Sequence, residues 1–138
     1  LRIAPAPPGD APLAVFENGI TLNKAIVNPQ AAAEATLTWQ PRQPIGEDYA
    51  VFVHVLRNGN LIVQHDGSPA YGLFPMPHWQ MGDSIVDVHP LTGQPLALDS
   101  RTDQVLVGIY RRSDGRRLNV LDENNKALRD SVMIFPTK

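Results

Sequence analysis

An all-β fold, a two-sheet antiparallel sandwich of jelly-roll or immunoglobulin-like type, is what this sequence predicts, and three observations carry that expectation. Residues 49–67 place two apolar, β-branched segments on either side of Asn58-Gly59, a dipeptide that readily takes the positive φ angles of a tight hairpin turn. Residues 105–120 repeat the device, with Asp114-Gly115 set between alternating apolar residues. The third is composition: 13 prolines and 10 glycines among 138 residues suit short strands and frequent turns better than helices.

The elements follow in order. Residues 1–12 hold Pro5, Pro7, Pro8 and Pro12, the make-up of a stiff, extended tether, and are read as a proline-rich linker to something upstream. The single sandwich domain is then 13–138, a length that suits one core and not two. Residues 13–16 and 20–27 read as strands separated by the turn Asn18-Gly19. In 34–40, Ala35, Leu37 and Trp39 alternate with Glu34, Thr36, Thr38 and Gln40, which gives a strand with one wet face and sends Trp39 inward. Pro29 and Pro41 bracket that stretch too closely for a stable helix over its alanines.

The hairpin at 51–66 comes next. A two-residue turn at Asn58-Gly59 sets Leu56 opposite Leu61, His54 opposite Val63 and Phe52 opposite His65. Val51, Val53, Val55 and Ile62 then fill the other face, so the hairpin is expected mid-sheet, covered on both sides. In that register His54 and His65 are diagonal neighbours, half of a metal-ligand set, and histidines on so apolar a face are read as core or boundary residues. A long loop at 67–82 follows. Residues 84–89 form a strand ended by Pro90, residues 105–121 the second hairpin, and 131–136 a closing strand, about eight strands in all.

Composition excludes several functions. With 14 acidic against 12 basic side chains and a net charge of −2, there is no basic stripe for nucleic acid. Arg111, Arg112, Arg116 and Arg117 bracket a turn and read as its solvated tip. The absence of cysteine removes disulfides and thiolate chemistry, and no apolar stretch approaches the ~20 residues a membrane span needs. No GxSxG, HExxH or phosphate-binding glycine loop occurs. Asp66, Asp83 and Asp87 are the carboxylates that could pair for hydrolysis or gather calcium, and sequence spacing does not bring them together. No cofactor, metal or catalytic residue is assigned.

Two regions have the make-up of a ligand surface. Pairing about Asp114-Gly115 puts Val105, Val107, Ile109, Leu118 and Val120 on an inward face and Gly108, Tyr110, Arg112, Arg117 and Asn119 on the other. A ring beside guanidinium and amide groups suits a sugar, which presents an apolar face for stacking and hydroxyls to be read. The loop at 67–82 gathers Tyr71, Phe74, His78 and Trp79, either a ligand platform or a plug for the open end of the sandwich with Met76 and Met81 as filler. The candidate ligand-binding residues are therefore Tyr71, His78, Trp79, Tyr110, Arg112 and Asn119.

Phe52, Val53, His54, Gln64, Asp66, Trp79, Gly82, Gly108, Tyr110, Arg117 and Leu118 together form a pattern over 49–120. It resembles a C-terminal β-sandwich domain of bacterial multi-spanning glycosyltransferase-like proteins of the dolichyl-phosphate-mannose:protein mannosyltransferase type. Val55, Arg57, Ile109 and Arg111 depart from that pattern. The resemblance implies a non-catalytic accessory module outside the cytoplasm, membrane-tethered through an upstream membrane-embedded domain, with glycan or glycolipid as its ligand. The other class open to the same sequence is a structural or protein-interaction domain that docks a neighbour by an exposed strand edge.

Overall fold

The structure is a computed structural model that describes residues 2–5, 11–30, 32–67, 76–91 and 97–136. Eleven strands lie among them: β1 (Arg2–Pro5), β2 (Ala14–Phe16), β3 (Ile20–Asn28), β4 (Glu34–Pro41), β5 (Tyr49–Arg57), β6 (Asn60–Gly67), β7 (Asp83–Pro90), β8 (Asp103–Arg111), β9 (Val120–Leu121), β10 (Ala127–Arg129) and β11 (Val132–Phe135). A single 3-10 turn, Met76–His78, is the only helical element among the described residues. The strands form a seven-stranded sheet in the order β1-β7-β4-β3-β2-β9-β10 and a four-stranded sheet in the order β11-β8-β5-β6. All pairings are antiparallel, and the fold is the two-sheet sandwich expected from the sequence.

The core lies where alternation said it would. On β4, Ala35, Leu37 and Trp39 are fully buried, and Phe16 meets the Trp39 ring with centroids 5.9 Å apart. Facing them, Val51, Val53 and Val55 of β5 and Val105, Val107 and Ile109 of β8 are equally buried. Each such side chain withdrawn from water contributes roughly 1.5–3 kcal/mol, which is what holds the two sheets face to face. Residues 2–5, expected within the linker, instead form the edge strand of the larger sheet, with Arg2 opposite Val86.

Both hairpins need correction. Asn58 (φ 52°) and Gly59 (φ 82°) make the expected two-residue turn, but a bulge follows at once. Leu56 pairs with Leu61 and Val55 with Val63, so Ile62 is the extra residue. That one-residue slip inverts the rest of β6: Gln64 faces His54, Asp66 faces Phe52, and His65 faces Val53 on the inner side. Sequence gave no sign of the bulge. Nor does the hairpin sit mid-sheet, because β6 is the edge strand of its sheet.

The second reversal spans 112–115 rather than Asp114-Gly115 alone, with Gly115 (φ 72°) donating to the Arg111 carbonyl and Arg111 donating to that of Arg116. After one bridge, Tyr110 to Arg117, the chain crosses to the other sheet as β9. Leu118 and Val120 are nonetheless buried with β8's inner residues, as their alternation implied.

Candidate functional site

The outer face of the four-stranded sheet carries a shallow cleft of about 310 Å³ lined by Phe52, His54, Gln64, Asp66, Tyr110, Gly115 and Arg117. Its floor depends on a glycine. Gly108 sits opposite Phe52, and a Cβ there would lie 2.2 Å from the Phe52 ring, so only glycine lets that ring lie flat across β8. The Arg117 guanidinium caps the ring from the other side at 4.4 Å, a cation–π contact. Arg117 also lies 3.8 Å from Asp130, an exposed pair that holds it loosely.

Beside this stack, the His54 ring tilts against Phe52 with centroids 4.8 Å apart. Its Nε2 is buried and makes no hydrogen bond; the nearest carboxylate oxygen, Asp66 Oδ1, is 3.7 Å away, too far for one. Asp66 instead accepts from Gln64 Nε2 at 3.1 Å. Burial pushes the His54 pKa below its usual value, with Asp66 opposing and Arg117 reinforcing that shift. The imidazole is therefore neutral and unsatisfied at neutral pH, flanked by a carboxylate, an amide and a guanidinium. Such a set donates and accepts toward vicinal hydroxyls at once.

A second polar cluster lies between the sheets. The slip in β6 turns His65 inward, where its Nδ1 meets Nδ1 of His89 on β7 at 2.9 Å, the rings edge to face. His89 Nε2 lies 2.6 Å from Asp87 Oδ2, and Trp39 Nε1 donates to the same oxygen at 3.2 Å. Asp87 and His89 are 1% and 2% exposed in an otherwise apolar core. Sequence reasoning missed this chain, because 84–89 reads as a strand with no inward face assigned, and the structure turns Ile85, Asp87 and His89 inward and leaves Val86 and Val88 half-buried. The expected His54 and His65 neighbourhood is overturned with it, since the two now sit on opposite faces.

The sequence-derived candidates scatter. Tyr110 lines the cleft. Arg112 lies beside a different depression and pairs with Asp48 at 3.2 Å. The Asn119 backbone exchanges hydrogen bonds with Glu17, its amide donating to Oε1 at 3.1 Å and its carbonyl accepting from the Glu17 amide at 3.0 Å. Trp79, at 3% exposure, packs in the core and offers no ring for stacking, while His78 is exposed on the 3-10 turn. Tyr71 and Phe74 lie outside the described residues. Phe52, His54, Gln64, Asp66 and Arg117, not chosen as ligand residues, are what the fold assembles around Tyr110; Gln64 and Asp66 reach this face only through the bulge in β6, for which the sequence carries no signal.

Of the carboxylates considered for hydrolysis or calcium, Asp66 faces outward, Asp87 is buried with His89, and Asp83 accepts from the Gln80 amide at 2.8 Å. Among the described residues no group of three or more His, Cys, Asp or Glu side chains is placed to hold a metal ion, and no helix is long and apolar enough to cross a membrane. Comparison with protein-family models, curated proteins and solved structures finds no match to this chain. The class that fold and site define is an all-β sandwich with a polar and aromatic cleft on the open face of its smaller sheet.

Proposed function

We propose that this domain is a non-catalytic, carbohydrate-binding β-sandwich module whose ligand lies in the cleft over β5, β6 and β8. The observation that carries the reading is the buried His54 Nε2, which has no hydrogen-bond partner and sits among Gln64, Asp66, Arg117 and the Tyr110 ring. A buried polar atom left unpaired costs about 1–3 kcal/mol, and a hydroxyl placed in the cleft would recover that cost. Tyr110 supplies the ring for an apolar sugar face, and the Gln64, Asp66 and Arg117 groups supply donors and acceptors for its rim. A single carboxylate, Asp66, lines the cleft, which favours binding over glycoside hydrolysis, where two would flank the bond.

Neutral trisaccharides (mannotriose, cellotriose, chitotriose) titrated by calorimetry and by NMR test this reading. Shifts confined to His54, Gln64, Tyr110 and Arg117 resonances, lost in Tyr110→Ala, are expected. A silent panel, or shifts elsewhere, would remove it. Tryptophan fluorescence is the wrong probe, because Trp39 and Trp79 are both buried. Attachment to a membrane glycosyltransferase-like protein, outside the cytoplasm, is proposed on the residue resemblance over 49–120; the reading frame upstream of Leu1 tests it through the spans it does or does not encode.

A second reading, a protein-docking module, is favoured by one feature. Leu61 and Ile62, at 51% and 42% exposure, project from the bulge on edge strand β6.

A further inference from the structure

The cleft and the buried polar chain share a strand. Gln64 and Asp66 point out of β6 into the cleft, and His65 between them points in to His89. Among the described residues, β6 is an edge strand with a ladder partner only in β5. The described polar side-chain link from β6 to the opposite sheet is the His65 to His89 hydrogen bond.

The proton arrangement of that chain is set by its acceptors. Asp87 Oδ2 already accepts from Trp39 Nε1, so His89 Nε2 carries the hydrogen it donates to the carboxylate. In the neutral ring His89 Nδ1 is then an acceptor, and His65 Nδ1 must be the donor. The remaining ring lone pair is then that of His65 Nε2, at the half-buried end. A first proton adds there and leaves every link intact. A second must go on His89 Nδ1, which sets two N–H groups against each other at 2.9 Å and breaks the link.

We propose that the His65–His89–Asp87 chain is a proton-operated clasp: closed at neutral pH, it holds β6 against the larger sheet and so fixes Gln64 and Asp66 in the cleft, and in acid it opens and releases the cleft's ligand. The second half rests on the carbohydrate-binding reading; the first does not. The charged groups facing the pair are Asp87 on β7, against His89, and Asp66 on β6 itself, which acts on His65 from the far face; β4 contributes Trp39 and β5 contributes Val53. Burial foremost, and His89 next, hold the His65 pKa below its usual value against Asp87 and Asp66, so the first proton adds below the ordinary histidine range of about 6.5 and the opening, which needs a second, follows it as pH falls further.

The test needs no ligand. Nitrogen-15 NMR at pH about 7 should find His65 as the Nδ1–H tautomer and His89 as Nε2–H; any other pair of tautomers overturns the clasp. Amide exchange, corrected for intrinsic rates, should then show β6 losing protection on the order of tenfold relative to β8 between pH about 7 and about 5. The half-buried His65→Ala variant should have a low, pH-independent β6 protection. Parallel behaviour of β6 and β8 in wild type, or an unchanged pH dependence in His65→Ala, would refute it. With the trisaccharides as probes, affinity should fall over the same interval in wild type and not in His65→Ala. Exchange behaviour as expected with no sugar bound at either pH would leave the clasp standing and remove the ligand reading alone.

Discussion

Two histidines on opposite sheets, His54 on β5 and His65's partner His89 on β7, are both withdrawn from water and stand in opposite hydrogen-bonding states. His89 is 2% exposed, with a carboxylate on one ring nitrogen and an imidazole on the other. His54, its side chain at 13%, has a buried Nε2 with no hydrogen-bond partner. Folding alone accounts for the first, since buried polar groups persist where every lone pair and proton is matched. It does not account for the second. The difference fits an inner cluster that holds the sheets together and, under the proposed function, an outer one that meets a ligand.

The contrast breaks most sharply at Asp87. Replacing Asp87→Leu leaves both the Trp39 indole N–H and the His89 Nε2–H unpaired in the core. Denaturant titration should show a loss of about 3 kcal/mol, the cost usual for stranding buried polar partners. A loss below about 1 kcal/mol would mean the inner chain is no more structural than the outer histidine.

How much of this contrast was legible depends on the strand. Along β4 the alternation of Ala35, Leu37 and Trp39 placed the core without error, because the apolar residues all fall on one side of the strand and the polar ones on the other. Asn58-Gly59 fixed the turn for a steric reason that is local to two residues. The bulge at Ile62 is not local in that sense; it answers to packing across β5, and one slipped residue moved His65 from the outer face to the inner. β7 was silent for a different reason. Its sequence reads as a strand without saying which set faces inward, and Asp87 and His89 take the inward side because Trp39 and His65, distant in sequence, satisfy them there. Among the described residues, Tyr110 alone of the sequence-derived ligand residues reached the cleft, since the reversal at 112–115 and the crossing of β9 separate Arg112 and Asn119 from it.

Asp103 sharpens the comparison at a smaller scale, as a third buried polar group that is fully matched. Its carboxylate accepts from Arg57 Nε at 2.8 Å and Nη2 at 3.0 Å, from the Asp99 amide at 2.8 Å and from Thr102 Oγ1 at 3.1 Å. Those bonds, the Arg57 one foremost, hold its pKa at about 2 against burial. A carboxyl depressed on folding stabilises the protein above its unfolded pKa, and the contribution is lost as pH falls from about 4 toward 2. The loss should be about 1–2 kcal/mol. Denaturant midpoints for wild type and Asp103→Asn should converge over that interval; midpoints that stay equally far apart from pH 5 to pH 2 would show that matching does not govern this group.

The smallest effect is expected at His54, and it is the one that separates stability from binding. Substituting His54→Leu removes an unpaired nitrogen and keeps the contact with Phe52, so stability at neutral pH should change by less than about 1 kcal/mol, in either direction. The sign of the pH effect follows from the shift. Burial depresses the His54 pKa on folding, so the unfolded chain takes up protons first, and wild type loses stability as pH falls below the ordinary histidine value of about 6.5. The variant lacks that component, and its denaturation midpoint should gain on wild type in acid. Trisaccharide affinity at neutral pH should meanwhile drop several-fold, as expected on losing one hydrogen bond of about 1 kcal/mol. A destabilisation above about 2 kcal/mol with affinity untouched would reverse the two histidines' roles, because His54 would then be serving the fold and not the cleft.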